Sequence, residues 1–374
     1  MDKNKTLTFP LLAALSLASP LSAAEPFAEQ TSPSVQPKVL NGETAALLAE
    51  RLLPWQAAIL SLDLGDGTVV AGCGAVVISE YWAVTAAHCV MPHAFLDDIL
   101  VAGVDTIPAG QANTVNSNYQ FTIVQKIEHP DYQDSLFTEG GLDHDIALIR
   151  VNRSMSDVAT PIQIATLTEQ TQADSSFNNT WSATAYSTGD LIASGWGKVA
   201  PDFIQPDELQ VVKLGGIPDD QCDSGYVTTA NSHFVCADSN NPEIKKDVCA
   251  GDSGGPLIWQ NPDRISDSDF GLRVVGVTSN GPACQEKYQG LESGQSNGLY
   301  TELSQYRDWI EQETGLTLSD LPTPNFQHDP FTLVKEDEVV AKSNTSGSSG
   351  GLVPTLSLTM MSLVAWWRRK TQAR

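Results

Sequence analysis

Residues 251–256 read GDSGGP around Ser253, residues 85–89 read TAAHC around His88, and residues 145–148 read DIAL beginning at Asp145. A serine hydroxyl is a poor nucleophile at neutral pH, so a reactive Ser253 needs a base within hydrogen-bond reach. The imidazole of His88 can accept and return that proton, and the carboxylate of Asp145 can hold its tautomer and stabilise the imidazolium. Gly251 and Gly254 leave room for a sharp turn that aims the amides of Gly251 and Ser253 at one spot. An oxyanion held there would gain roughly 3–4 kcal/mol per donor.

Outward from these motifs, residues 39–314 show short apolar runs separated by Gly, Pro, Asn and Asp clusters: Val69–Val77, 121–127, 145–151 and 274–278. The clearest helical period is at 303–310, where Leu303, Tyr306 and Ile310 share a face. The pattern predicts an all-β fold with a C-terminal helix. Residues 168–190 and 260–270 are polar enough to read as long surface loops, and 315–349 read as a spacer and linker.

The ends differ in kind from the middle. Lys3 and Lys5, an apolar run and the small-residue site Ser22-Ala23-Ala24 predict a secretory signal peptide over 1–24. Export makes the six cysteines candidates for three disulfides, which spacing alone could pair in about 15 ways. After the SNTSGSSGG stretch at 343–351 comes an apolar segment, then Arg368, Arg369 and Lys370, a pattern suited to a marginal membrane-inserted tail with a cytoplasmic end. The net charge is −24; residues 1–38 carry three basic and three acidic groups and 351–374 four basic ones, so 39–350 hold −28. Such an acidic body argues against nucleic-acid binding and favours cationic substrates. No Cys/His spacing reads as a zinc site, and His93, His129, His233 and His328 read as structural or surface residues.

The order His88, Asp145, Ser253 within these motifs resembles the chymotrypsin/trypsin-type serine endopeptidases over residues 39–314. The resemblance implies two six-stranded antiparallel β-barrels, no cofactor and a monomer. It selects Asp145 over Asp143, because the family's carboxylate directly precedes Ile-Ala-Leu. It implies the disulfides Cys73 with Cys89, Cys222 with Cys236 and Cys249 with Cys284. Asp247, six positions before Ser253, matches the pocket-floor residue of enzymes cutting after Arg or Lys. Gly281 and Gly298 match pocket-wall glycines, and Ser279 the residue that buttresses the carboxylate; Asn280 departs from an aromatic usual at its position. Lys38 followed by Val39 resembles an activation site, with 25–38 as propeptide. The freed Val39 ammonium would pair with Asp252, and the activator would be a trypsin-like protease, or the enzyme itself.

A catalytically silent relative acting as a binder would typically lack a triad member, and an esterase elbow would place its partners after the serine; neither holds here. Gly350-Gly351 with the apolar run and basic cluster, over 350–374, is similar to the GlyGly-type sorting signal of Gram-negative surface proteins. That implies type II export, a rhomboid-like sorting protease, a precursor tail held transiently in the inner membrane and a secreted or cell-surface enzyme.

Overall fold

The computed structural model describes residues 40–62, 67–90, 98–135, 141–222, 233–290 and 297–336. The expected signal peptide, Lys38, Val39 and the 350–374 tail lie outside the described residues. No helix among the described residues is long and apolar enough to cross a membrane.

The first barrel is built from β1 (Gln56–Leu62), β2 (Val69–Val77), β3 (Trp82–Thr85), β4 (Ile99–Ala102), β5 (Gln120–Glu128) and β6 (Ala147–Val151), closed in the order β1-β2-β3-β6-β5-β4. The second uses β7 (Leu191–Gly195), β8 (Gln210–Ile217), β9 (Phe234–Asp238), β10 (Pro256–Gln260), β11 (Leu272–Asn280) and β12 (Gly298–Glu302), in the order β8-β7-β10-β11-β12-β9 with β9 pairing back to β8. All these pairings are antiparallel. This is the expected pair of six-stranded barrels.

Both faces of β1 are buried, which is why its sequence runs apolar instead of alternating. Ala57 and Ile59 face the interior of the first barrel with Val77, Leu100, Phe121 and Ile149. Ala58 and Leu60 face the layer between the barrels, with Val76, Leu148, Val211 and Val277. The second barrel is filled by Leu191, Val212, Leu214, Leu257, Val275 and Tyr300. Side chains therefore fill both barrels, as expected for closed sheets this small.

Two regions depart from expectation. Within 168–190, read as loop, helix α1 (Leu167–Thr180) forms. Its N-terminus carries a capping box in which the Thr166 hydroxyl accepts the Glu169 amide while the Glu169 carboxylate accepts the Thr166 amide. Ala173 and Phe177, four apart, are its buried apolar points, so the period is too sparse to detect without the cap. Residues 315–336, expected as spacer, instead follow α2 (Cys284–Gln289) and α3 (Arg307–Thr314) as a strap packed on the body. The strap is pinned by Phe326 edge-on to Trp55 at 4.8 Å and by buried Leu318 and Val334. At its end Glu336 pairs with Lys213 Nζ at 2.8 Å. The 260–270 segment is a connection, as expected. Beside it Arg273 is buried between Glu169 (2.8 Å) and Asp269 (2.7 Å).

Candidate active site

Strand register delivers the sequence-predicted residues to one place. Antiparallel β3 and β6 pair Thr85 with Ala147 at their ends. The turn just beyond Thr85 carries His88, and the residues just before Ala147 carry Asp145, so the two side chains emerge from one end of the first barrel. In the second barrel β10 and β11 pair Pro256 with Val277, which places Ser253 and Ser279 together beyond that pair. The barrels are joined here by the Gly74 amide donating to the Ser253 carbonyl at 2.7 Å. That carbonyl lies 3.6 Å from Cys89 Sγ, beside His88.

Asp145 is fully buried. Its Oδ2 accepts from His88 Nδ1 at 2.8 Å and from the Ser279 hydroxyl at 2.6 Å, and its Oδ1 accepts the His88 amide at 2.9 Å. Its backbone carbonyl accepts the Thr301 hydroxyl at 2.9 Å. Four donors from three elements thus fix both carboxylate and main chain. With Nδ1 donating to a carboxylate, the Nε2 lone pair of His88 is the one available as a base.

The turn at Ser253 needs its glycines. Gly254 has φ 75°, and a Cβ there would lie 2.1 Å from Thr85 Oγ1 and 2.5 Å from the Gly74 carbonyl. Gly251 has φ 102°. Between them Asp252 turns away from the cleft into full burial, where its carboxylate accepts the amides of Gly197 (2.7 Å) and Cys249 (2.8 Å). Burial pushes its pKa up to about 6, against the lowering effect of those two bonds. Leu40, next to the expected activation terminus, is fully buried, and its amide donates to the Asp247 carbonyl at 3.1 Å.

Ser253 lines a cleft with Asp247, Ser279, Gly281 and Cys284. The two wall glycines face each other, since a Cβ on Gly281 would meet Gly298 Cα at 3.3 Å and one on Gly298 would meet Asp247 Oδ1 at 3.2 Å. Asn280 folds its side chain onto the chain, its Oδ1 accepting the Gly281 amide at 2.8 Å. The three disulfides pair as the resemblance implied, Cys249 to Cys284 spanning the cleft wall.

Asp247 has a charged partner that no motif announced. Lys287, on α2, is buried with Nζ 2.7 Å from Asp247 Oδ2 and 2.5 Å from Asp238 Oδ1. Burial works to strip its proton, but Asp247 and Asp238 more than reverse this and hold the ammonium above its ordinary pKa. Asp247 is thus an ion-paired carboxylate, although burial pushes its own pKa up against the pull of Lys287, and its Oδ1 accepts the Val248 amide at 2.8 Å.

A carboxylate-backed imidazole beside a serine in such a cleft is the equipment of a serine hydrolase. The family model described as Trypsin matches residues 41–310. Mouse (Mus musculus) kallikrein-1 is 27% identical over 300 residues, covering 75% of this chain and 91% of that protein. Transmembrane protease serine 11C of the same species is 30% identical over 281 residues, covering 75% of this chain and 54% of that protein. A solved structure of neuropsin, a serine protease expressed in the limbic system of mouse brain, is 27% identical, with a TM-score of 0.49, covering 71% of this chain and 96% of its own. The chain belongs to the trypsin family of serine proteases, and it is a peptide hydrolase.

Proposed function

We propose that Ser253 attacks the scissile carbonyl, that His88 carries the proton from nucleophile to leaving amine, and that Asp145 orients His88 throughout. The amides of Gly251 and Ser253 take the oxyanion of the acyl-transfer intermediates. The observation that carries this is the buried Asp145 carboxylate, bonded at once to His88 Nδ1, the His88 amide and Ser279.

The substrate is proposed to be a protein or peptide with Arg or Lys before the cut. Asp247 and Asp238 together carry two negative charges against the one positive charge of Lys287, so a cationic side chain entering the cleft still meets a net anion. A second reading, a neutral polar side chain such as Gln, is favoured by the direct contact between Lys287 and Asp247. Hydrolysis of matched Arg, Lys, Gln and Phe anilides tests both, alongside fluorophosphonate labelling of Ser253. Rapid labelling with Arg and Lys preferred supports the first; labelling with Gln preferred supports the second; absence of labelling in correctly processed protein refutes the catalytic assignment.

The enzyme is further proposed to be an exported zymogen, activated by cleavage after Lys38 and released from its tail near Gly350. The buried Leu40 beside Asp247 supports a seated activation segment. Mass spectrometry of the exported protein reads both termini; an N-terminus other than Val39, or an intact Arg374, would count against the respective step.

A further inference from the structure

Outside the proposed triad, a grouping of metal-ligating side chains among the described residues includes the two residues just before Asp145. Donor atoms of Asp143, His144 and His233 all lie within 4.8 Å of one another. Another grouping, Cys73, His88 and Cys89, is closed off by the Cys73–Cys89 disulfide.

The fold makes the grouping from distant pieces. Asp143 and His144 precede β6 of the first barrel, and His233 immediately precedes β9 of the second. His144 sits in the left-handed region at φ 52°, which curls the Asp143 side chain back beside the ring of its own neighbour. Asp143 Oδ1 accepts the His144 amide at 3.1 Å, while Oδ2 lies 3.9 Å from His144 Nε2. His144 Nδ1 is 3.0 Å from the hydroxyl of buried Tyr306. Metal-binding imidazoles usually have such a partner on the second nitrogen, because it fixes the tautomer and the ring plane. The other nitrogen, Nε2, is the one that faces Asp143, and a metal ion there would take the place of its proton, with Nδ1–H then donating to Tyr306.

The His144 ring also packs against two further imidazoles. His129 stacks on it with centroids 4.9 Å apart and planes within 10°, and His233 lies at 4.6 Å, tilted 43°. His129 serves as wall: its Nδ1 accepts the Asp131 amide at 3.3 Å, and its ring packs on Trp309 at 4.9 Å.

We propose that Asp143, His144 and His233 bind one zinc ion, with the fourth position open to water. Two imidazoles and a carboxylate form a borderline-soft N/O set suited to zinc. Ligands at about 2.0–2.1 Å around a tetrahedral ion stand roughly 3.3 Å apart, so the donors must close by about an ångström. Asp143 and His233 are partly exposed, so side-chain torsions can supply that movement, whereas His144 is held by Tyr306 and His129. The ion would link the two barrels one residue away from Asp145. Binding should therefore raise the stability of the fold and alter turnover together.

The test uses the processed enzyme, with zinc chloride followed by calorimetric titration and thermal unfolding, and with cobalt(II) replacing zinc for visible spectroscopy. One site per chain is expected. At a hundredfold excess over Kd the unfolding temperature should rise by roughly 5 °C, and cobalt should give the intense d–d bands of a four-coordinate site. His233→Gln and, separately, the partly exposed Asp143→Asn should lower affinity at least tenfold while leaving metal-free turnover at the wild-type level. Absence of saturable binding, or binding and inhibition that persist unchanged in both variants, as zinc held by His88 would give, overturns the proposal.

Discussion

Asp145 and Asp247 are both buried aspartates, yet the protein satisfies them by opposite means. Asp145 is held by an imidazole, a hydroxyl and an amide, with no fixed cation among these partners. Asp247 is held by the ammonium of Lys287, which it shares with Asp238. The physical difference lies in the partner: a carboxylate that backs an imidazole leaves that ring able to take up a proton and gain from the pairing, whereas one already paired with a buried ammonium has its charge balanced from the start. Burying either without partners would cost several kcal/mol.

Neutralising the first carboxylate should have the largest effect. Asp145→Asn keeps the shape but offers His88 the wrong hydrogen-bonding partner, and kcat is expected to fall about 10⁴-fold with the fold intact by circular dichroism. Steady-state kinetics on an anilide substrate reads it, and a loss below tenfold would mean that Asp145 is not the orienting group.

Removing the cation from the second should instead strike stability. Lys287→Met leaves Asp247 and Asp238 facing each other without their cation, and about 3–5 kcal/mol should be lost in denaturant unfolding. Adding Asp238→Asn should recover part of that loss. If Lys287→Met proves neutral, the ion pair does not hold the floor together.

Asp252 is a third case, held by two amides, with its pKa raised by burial to about 6. A raised carboxyl pKa means that the folded state prefers the proton. Stability is then greatest below the unfolded value near 4 and is lost as pH climbs to about 6, by on the order of 3 kcal/mol. In unprocessed precursor Asp252→Asn should remove this part of the pH dependence, and in processed enzyme the Val39 ammonium should remove it without mutation. Denaturant midpoints between pH 4 and 7 distinguish the forms; identical curves for precursor and Asp252→Asn would show that other carboxyls dominate.

The smallest effect is expected at Ser279. Its hydroxyl is one of three side-chain and backbone donors on the Asp145 carboxylate, and Ser279→Ala should cost about 1.5 kcal/mol, or about tenfold in kcat. Little change in KM for a single-residue substrate would place the loss in the chemistry and separate orientation of Asp145 from pocket shape.

Much of this was legible beforehand where the signal was local. The run Val69–Val77 is a strand over those very residues because its neighbours bury it on both sides and the apolar composition says so. His88, Asp145 and Ser253 stand in short motifs of fixed residue type, so their meeting was expected from the chain alone, whereas Asp247 was singled out only through the family resemblance. Helix α1 was not legible, since two apolar points and a cap carry it. The strap at 315–336 was not either, because Phe326 has meaning only against Trp55.

Sequence by itself determined the strand-rich chain, the glycines that turn at Ser253, and the order of the three motifs, since each depends on side-chain type or backbone freedom within a few residues. Tertiary structure alone decided that Lys287 lies against Asp247 and that His144 and His233 come together across two barrels. Those encounters depend on the closure of loops and sheets between residues far apart in the chain, and no local period or spacing encodes the distance at which two such side chains finally meet.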